Sequence, residues 1–384
     1  MHVDHYDKGH LRRLEAVRAP ILQHLLLHLN HWGRSGTLVL DPFRDHPPEL
    51  TSLTLVEVTM RRWDSTIFGP RLHKLNLARI FTSGPTREDL RVVFRSCPNL
   101  AHLGLERVTL SDEANRFLPQ GPPVQLLLLH TLVLDLCSPV DAIDIAKIAG
   151  IPRCRSYTIS IDSEDPNSTT FSVVALQAQK QFQASISSSR SLDMHLDNFW
   201  IHMICRSGQS PSSDFNLKLN NGGSCEQMLN WLNSMLHIRP PPLIPIDLHL
   251  DYKYYGGSLP SPSNLFQLSS VQSLTITDGH GVIMPLIEAL SIPGDLGGGS
   301  DKWMWPSLRE VTIWRFSSPS TTLLHMIKAR KEAALGKEET GNGDGIVMLG
   351  MLVVGEDVFT VEEFEAFRAV LGDVAGMVSV KRCK

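Results

Sequence analysis

Three histidines near the start, His24, His28 and His31, are spaced H-x-x-x-H-x-x-H. On a helix that spacing puts two imidazoles on one face at metal-ligand distance, but Leu25 stands where a zinc protease needs its general base. On a strand, His24 and His28 are instead outward neighbours; periodicity over so short a run fits either, but Pro20 just ahead and the 28 residues from Leu22 to Leu50 favour the strand. The run Gly341-Asn-Gly343-Asp-Gly345 leads into the apolar stretch 346–354, whereas a phosphate loop follows a strand and opens a helix. It also lacks G-K-[ST], so a turn is expected. Glu362, Glu363 and Glu365 suit the field at a helix N-terminus, and Lys328, Arg330 and Lys331 the opposite end of another helix. The six cysteines form no C-x-x-C and no close pair, so neither a zinc site nor a disulfide framework is readable. No G-x-S-x-G elbow or kinase signature occurs. No catalytic, cofactor-binding or metal-ligating set is assigned, and the chain is read as a non-enzyme.

One phrase announces the elements that must position the other polar residues. Leu50-Thr-Ser-Leu53-Thr-Leu55, Leu72-His-Lys-Leu75-Asn-Leu77 and Leu100-Ala-His-Leu103-Gly-Leu105 all read Leu-x-x-Leu-x-Leu, followed three residues on by Val58, Ile80 or Val108. On a strand the last two leucines point to one side, and the residues between and beside them to the other. Such a strand cannot bury its apolar side alone, so copies must stack, as in a leucine-rich repeat. Leu22-Gln-His-Leu25-Leu-Leu27 precedes these copies, with Pro20 ahead of it, and marks the first strand. Leu129-His-Thr-Leu132-Val-Leu134 and Cys154-Arg-Ser-Tyr157-Thr-Ile159 follow. Spacings of 22, 28, 29 and 25 residues from Leu50 to Cys154 lie in or near the repeat range. Met194 with Leu196, and Leu217 with Leu219, are weaker marks. Leu243-Ile-Pro-Ile246-Asp-Leu248, Val271-Gln-Ser-Leu274-Thr-Ile276 and Leu308-Arg-Glu-Val311-Thr-Ile313 then restore the phrase.

The return segments carry helix signals. Ser138-Pro139 and Ser318-Pro319 each set an N-cap serine ahead of a proline at the first helical position. Thr86 with Asp89 opens a helix through Arg95, and the capping box Thr360-Val-Glu-Glu363 opens one to Leu371. The expected fold class is therefore α/β: a leucine-rich-repeat horseshoe, or solenoid, of about ten degenerate strand-helix repeats. It forms a single array over residues 1–384, with the clearest repeats at 19–160, looser, loop-rich ones at 190–320 and a C-terminal cap at 346–384. A soft division falls near residue 190.

Composition narrows the class. The 384 residues carry a net charge of -4 with scattered cations, which argues against a nucleic-acid binder. The first residues have no apolar core of signal-peptide length, and the longest apolar stretch is half a membrane span. A cytoplasmic or nuclear protein with no membrane association, small-molecule substrate or cofactor is expected.

The phase of the phrase sorts the outward residues. Most are polar, and they include His28, Asn76, Glu106, Asp135, Asp193, His195, Asp197, Asp247, His249, Asp251 and Trp314. Lys74 is the single lysine among them, so carboxylates dominate and their summed field would steer a basic partner. The partner-binding set expected is His28, Asn76, Glu106, Asp135, Asp193, Asp197, Asp247 and Asp251, with Trp314 as the aromatic anchor.

With those residues in view, the chain resembles the degenerate leucine-rich-repeat region of fungal F-box proteins. The likeness is carried by Ala19-Pro20-x-Leu-x-x-Leu-x-Leu, by Cys97-Pro98-Asn99-Leu100, and by Trp305-Pro306-Ser307-Leu308-Arg-Glu-Val-Thr-Ile, and it covers roughly residues 11–320. It implies a noncatalytic protein–protein interaction module, the substrate-recognition part of an F-box-type ubiquitin ligase receptor. In that family an F-box docks on the adaptor of a cullin ligase. No Leu-Pro-x-Glu-Ile/Leu helix opening is visible ahead of Ala19, so the adaptor is expected as a partner only where an F-box lies upstream. The opposing reading is a hydrolase-like enzyme using the histidine-rich or acidic face.

Overall fold

The computed structural model describes residues 2–4, 13–29, 38–44, 48–81, 84–111, 121–137, 139–150, 154–161, 189–196, 200–206, 215–220, 245–251, 265, 268, 270–277, 284–293, 303–314, 320–336, 346–355, 360–371 and 379–383. The chain is α/β, dominated by mostly parallel sheet, with few helices. It divides into two compact units, Met1–Phe182 with Asn216–Gly223, and Gln183–Phe215 with Ser224–Lys384. Among the described residues no helix is long and apolar enough to cross a membrane.

The strands of the first unit are β1 (His2–Asp4), β2 (His24–His28), β3 (Leu38–Leu40), β4 (Ser52–Val56), β5 (Val58–Met60), β6 (Lys74–Ile80), β7 (His102–Val108), β8 (Val124–Gln125), β9 (Thr131–Cys137), β10 (Ala149–Gly150) and β11 (Ser156–Ile161). The second unit holds β12 (Ser191–Leu196) and β13 (Trp200–Arg206). After β14 (Phe215–Asn220), which belongs to the first unit from Asn216, it continues with β15 (Ile246–Asp251), β16 (Val271–Thr277), β17 (Glu310–Trp314), β18 (Met351–Gly355) and β19 (Ser379–Cys383). The helices are α1 (Arg87–Ser96), α2 (Pro139–Ile148), α3 (Met284–Ala289), α4 (Ser320–Gly336) and α5 (Val361–Leu371).

In the first unit the main sheet runs β1-β2-β4-β6-β7-β9-β11-β14, every described pair parallel. Register follows the phrase. Leu25, Leu53, Leu75, Leu103, Leu132, Tyr157 and Leu217 stand side by side and are all buried, as are Leu27, Leu55, Leu77, Leu105, Leu134 and Ile159 one row further. The phase inferred from the sequence is thus the observed one, and Leu22 to Leu27 is a strand copy, not a helix. β1 pairs with β2 ahead of that copy, so the first strand begins earlier than residue 22. It carries no Leu-x-x-Leu-x-Leu phrase that would have announced it.

Five strands, β2, β6, β7, β9 and β17, are led in by the same tight turn. Leu22 N donates to Ala19 O, Leu72 to Gly69, Leu100 to Cys97, Leu129 to Leu126 and Leu308 to Trp305, at 3.0–3.2 Å. Proline fills the second turn position at Pro20, Pro70, Pro98 and Pro306, where its fixed φ suits the turn and no ladder N–H is lost. One carbonyl then receives two successive N–H groups of the next strand: Gln23 from Thr51 and Ser52, Thr51 from His73 and Lys74, His73 from Ala101 and His102, Ala101 from His130 and Thr131.

The third apolar mark of the phrase needs a departure from strand geometry, because strict alternation would turn Val58, Ile80 and Val108 outward. The preceding residues, Glu57, Arg79 and Arg107, have φ of 59°, 55° and 50°, in the left-handed region. That kink sends Val58, Ile80 and Val108 back into the core, where all three are buried. A non-glycine residue there is strained by about 1 kcal/mol or more. Arg79→Gly is therefore expected to leave the thermal midpoint of the first unit nearly unchanged, since relief of strain offsets the extra freedom of the unfolded chain. Arg79→Val should lower it by an amount equivalent to about 2 kcal/mol, because a β-branched residue resists positive φ. Thermal denaturation followed by circular dichroism compares the two, and equal shifts would deny the kink its role.

Returns differ in how they fill the space behind the sheet. Seventeen residues, 57–73, separate β4 from β6, and that return is built from β5 and turns, with Trp63 stacked on Phe68 at 5.8 Å. The longer return after β6 holds α1. Its capping box is the expected one: Thr86 Oγ1 accepts from Asp89 N, and the Asp89 carboxylate accepts from Thr86 N at 2.9 Å. Leu90, Val93 and Phe94 then face the core. α1 packs on α2 through a buried pair, Arg87 with Asp144, in which Nε lies 3.1 Å from Oδ2.

In the second unit the order is β13-β12-β15-β16-β17-β18-β19. β12 and β15 to β19 pair in parallel, with Met194, Leu248, Leu274, Val311 and Leu352 in one buried row. β13 departs from the parallel pattern, running antiparallel to β12, and no repeat phrase in the sequence marks it. α4 packs on α3 and α5. The expected starts near residues 320 and 361 are met by α4 and α5, while Ser138, Ser318 and Pro319 lie outside the described residues.

Candidate sheet-face site

The outward rows of the first unit follow from the same register. His24, Ser52, Lys74, His102, Thr131 and Ser156 form one row; Leu26, Thr54, Asn76, Gly104, Val133 and Thr158 the next; His28, Val56, Ala78, Glu106 and Asp135 the third. Glu106 and Asp135 are thus neighbours on adjacent strands, while His28 lies in their row three strands away and Asn76 in the middle row. His102 Nε2 donates to Asn76 Oδ1 at 3.0 Å. Gly104 permits this, because a Cβ there would come within 2.4 Å of Asn76 Oδ1. Burial lowers the His102 pKa, and Lys74 adds to the shift, so this imidazole stays neutral at ordinary pH.

The charge balance of this face differs from the sequence expectation. Arg79, carried on the left-handed kink, reaches Glu57 at 3.9 Å and Glu106 at 3.7 Å. An arginine beyond the alternating positions was not assigned to the face. It offsets part of the negative field expected from Glu106 and Asp135.

The second unit brings the remaining residues together. Asp193 and Asp247 stand in register, with Ser273 and Glu310 continuing the row. Asp251, Thr277 and Trp314 form another row, and Trp314 is half-buried. Asp197 lies outside the described residues. Asp193 is already engaged: Arg206 from the unanticipated β13 places Nε 2.6 Å and Nη2 2.5 Å from its Oδ2. Desolvation raises the Asp247 pKa, helped by Asp193 and Glu310, against the pull of His249 and Arg206.

Between these carboxylate rows the structure places a row of imidazoles. His195 and His249 are in register on β12 and β15 with rings stacked at 4.3 Å and 8° apart, and His202 of β13 lies opposite His195 at 5.7 Å. Burial lowers the His195 pKa, with His249 and His202 adding to the shift and Asp193 and Asp251 opposing it. Strand alternation places His195 and His249 on the outward face but does not by itself bring them into contact. The repeated Asp-x-His-x-Asp at 193–197 and 247–251 was the signal available.

Coplanar stacked rings send their nitrogen lone pairs out in parallel, not toward a common point. Among the described residues no three His, Cys, Asp or Glu side chains are placed to hold a metal ion. Near the first histidine, Thr51 Oγ1 lies 3.4 Å from His24 Nδ1 but donates to Gln23 O at 3.1 Å. The thiols of Cys97 and Cys137 are pushed by burial to about 12, and that of Cys154 to about 11, well above the range of a reactive thiolate. No protein-family model matches the chain, and no curated protein matches it.

Proposed function

We propose that the chain is a noncatalytic protein–protein interaction module of leucine-rich-repeat horseshoe type, which offers its outward strand faces to a partner bearing a basic patch. Its specific role in this reading is substrate recognition for an F-box-type ubiquitin ligase, in the cytoplasm or nucleus. The observation that supports it most is register. Stacked parallel copies of one phrase bury every leucine row and leave polar side chains in ordered outward rows, including paired carboxylates at Glu106 and Asp135 and at Asp193 and Asp247. Interfaces are commonly anchored by a half-buried aromatic with charges around it, and Trp314 in the row of Asp251 has that character.

Crosslinking of the tagged chain in its native source, followed by mass spectrometry, would identify the partner, and surface plasmon resonance would then test the face. Glu106→Lys/Asp135→Lys is expected to lower the association rate several-fold, an effect that shrinks as salt screens the field over a Debye length of about 8 Å. Trp314→Ala should instead raise the dissociation rate at least tenfold, as loss of an anchor worth more than about 1.4 kcal/mol would. Unchanged kinetics in both variants would remove the site from these faces.

A further inference from the structure

The imidazole row of the second unit is more than the general reading requires. His202, His195 and His249 lie side by side on β13, β12 and β15, bordered by Asp193 and Asp247 on one side and Asp251 on the other. The chain shows how this surface holds a cation, because Arg206 already rests its guanidinium on Asp193. One strand over, Asp247 and, further along the row, Glu310 make no ion pair among the described residues.

We propose that this face docks an arginine-bearing segment of a protein partner and releases it on mild acidification, with the imidazole row as the release. The proposal rests on the interaction-module reading and adds a partner chemistry and a regulation to it. Arginine is favoured over lysine because a planar guanidinium can stack on a flat neutral ring while its fork pairs with a carboxylate.

The groups facing the row can be named strand by strand. β13 contributes Arg206 and His202, β12 contributes Asp193, β15 contributes Asp247 and Asp251, and β17 contributes Glu310. β16 adds the non-titrating Ser273, Thr275 and Thr277. Among the described residues just named, one cation faces four carboxylates at neutral pH, so the surplus is negative. Burial lowers the His195 pKa, with repulsion from His249 and His202 adding to the shift, so this ring is neutral at neutral pH and gains charge only on acidification. Imidazolium charge gained in the row offsets the negative surplus and turns a stacking surface into one that repels a guanidinium.

Fluorescence anisotropy of a labelled oligoarginine peptide with the full chain tests this. Binding at about pH 7.5 should weaken at least about tenfold by about pH 5.5, the interval over which histidine changes charge. The His195→Asn/His249→Asn variant should keep its affinity across the interval, and Asp247→Asn/Glu310→Gln should lose affinity at both ends. Equal weakening of wild type and histidine variant would overturn the release while leaving the docking surface standing. Absence of binding at neutral pH, or binding indifferent to Asp247→Asn/Glu310→Gln, would overturn the docking surface itself. Ring-proton NMR titration of wild type reads the row without any variant: His195 is expected to titrate below an ordinary histidine, and an ordinary curve for it would refute the release.

Discussion

Leu75→Asp is expected to unfold the first unit, while Asn76→Asp, one residue along, leaves it folded. Leu75 is fully buried between Leu53 and Leu103, in a row of side chains that extends across the sheet. Its replacement loses the transfer free energy of a buried leucine, about 2 kcal/mol, and leaves a carboxylate with no partner in an apolar layer, which adds several more. A total above about 4 kcal/mol is a large part of the stability of a typical domain. Asn76 is half-exposed and bonds outward, its Oδ1 accepting from His102. A carboxylate keeps that acceptor and adds a charge opposite to nearby Lys74, so the melting temperature should move by about a degree or two at most. Circular dichroism melts of both variants decide the matter. Comparable losses would mean that the strand phase, and every outward residue assigned from it, is wrong.

That phase was legible because it rests on local alternation, which the sequence carries residue by residue. The leucine rows, the Thr86–Asp89 cap and the proline turns are of this kind, each set by neighbours in the chain. The kink at Glu57, Arg79 and Arg107 was hidden because no glycine marks it, even though Val58, Ile80 and Val108 at the wrong spacing for a plain strand were its trace. β13 was missed because its run Trp200-Ile-His-Met-Ile-Cys-Arg206 follows β12 closely and carries none of the repeat phrase. Contacts between distant segments were not legible at all. Arg87 opens α1 and Asp144 lies within α2, far apart in the chain, and only packing of α1 on α2 makes them a buried pair. The stacking of His195 on His249 depended on register across a long insert, which alternation does not set. Arg330 was misjudged for the same reason, as a cation complementing a helix end.

Arg330→Ala is expected to destabilise the second unit by about 3–5 kcal/mol, because this arginine is a structural clamp in its core. It lies within α4, not at its end, and is fully buried. Nη1 donates to Met304 O at 3.1 Å and Nη2 to Trp305 O at 2.8 Å, while Nε has no hydrogen-bond partner. Among the described residues no carboxylate pairs with it, and desolvation alone lowers its pKa to about 10, leaving it charged at neutral pH. The residues it holds form the turn before β17. Trp305 sits at φ 48°, a strained conformation for a bulky side chain, with its indole N–H donated to Leu265 O at 3.1 Å and its carbonyl also accepting from Leu308 N at 3.0 Å. Removing the guanidinium orphans part of the bonding at two buried carbonyls and opens a cavity. Arg330→Met separates these effects, since it refills the volume and removes a buried charge but restores neither hydrogen bond. It should recover about half of the loss, because relief of desolvation offsets the missing charge-assisted bonds only in part. Urea denaturation of the two variants gives the comparison. A methionine variant as unstable as the alanine one would assign the whole effect to the carbonyl bonds, and a methionine variant as stable as wild type would show that the clamp contributes no net stability.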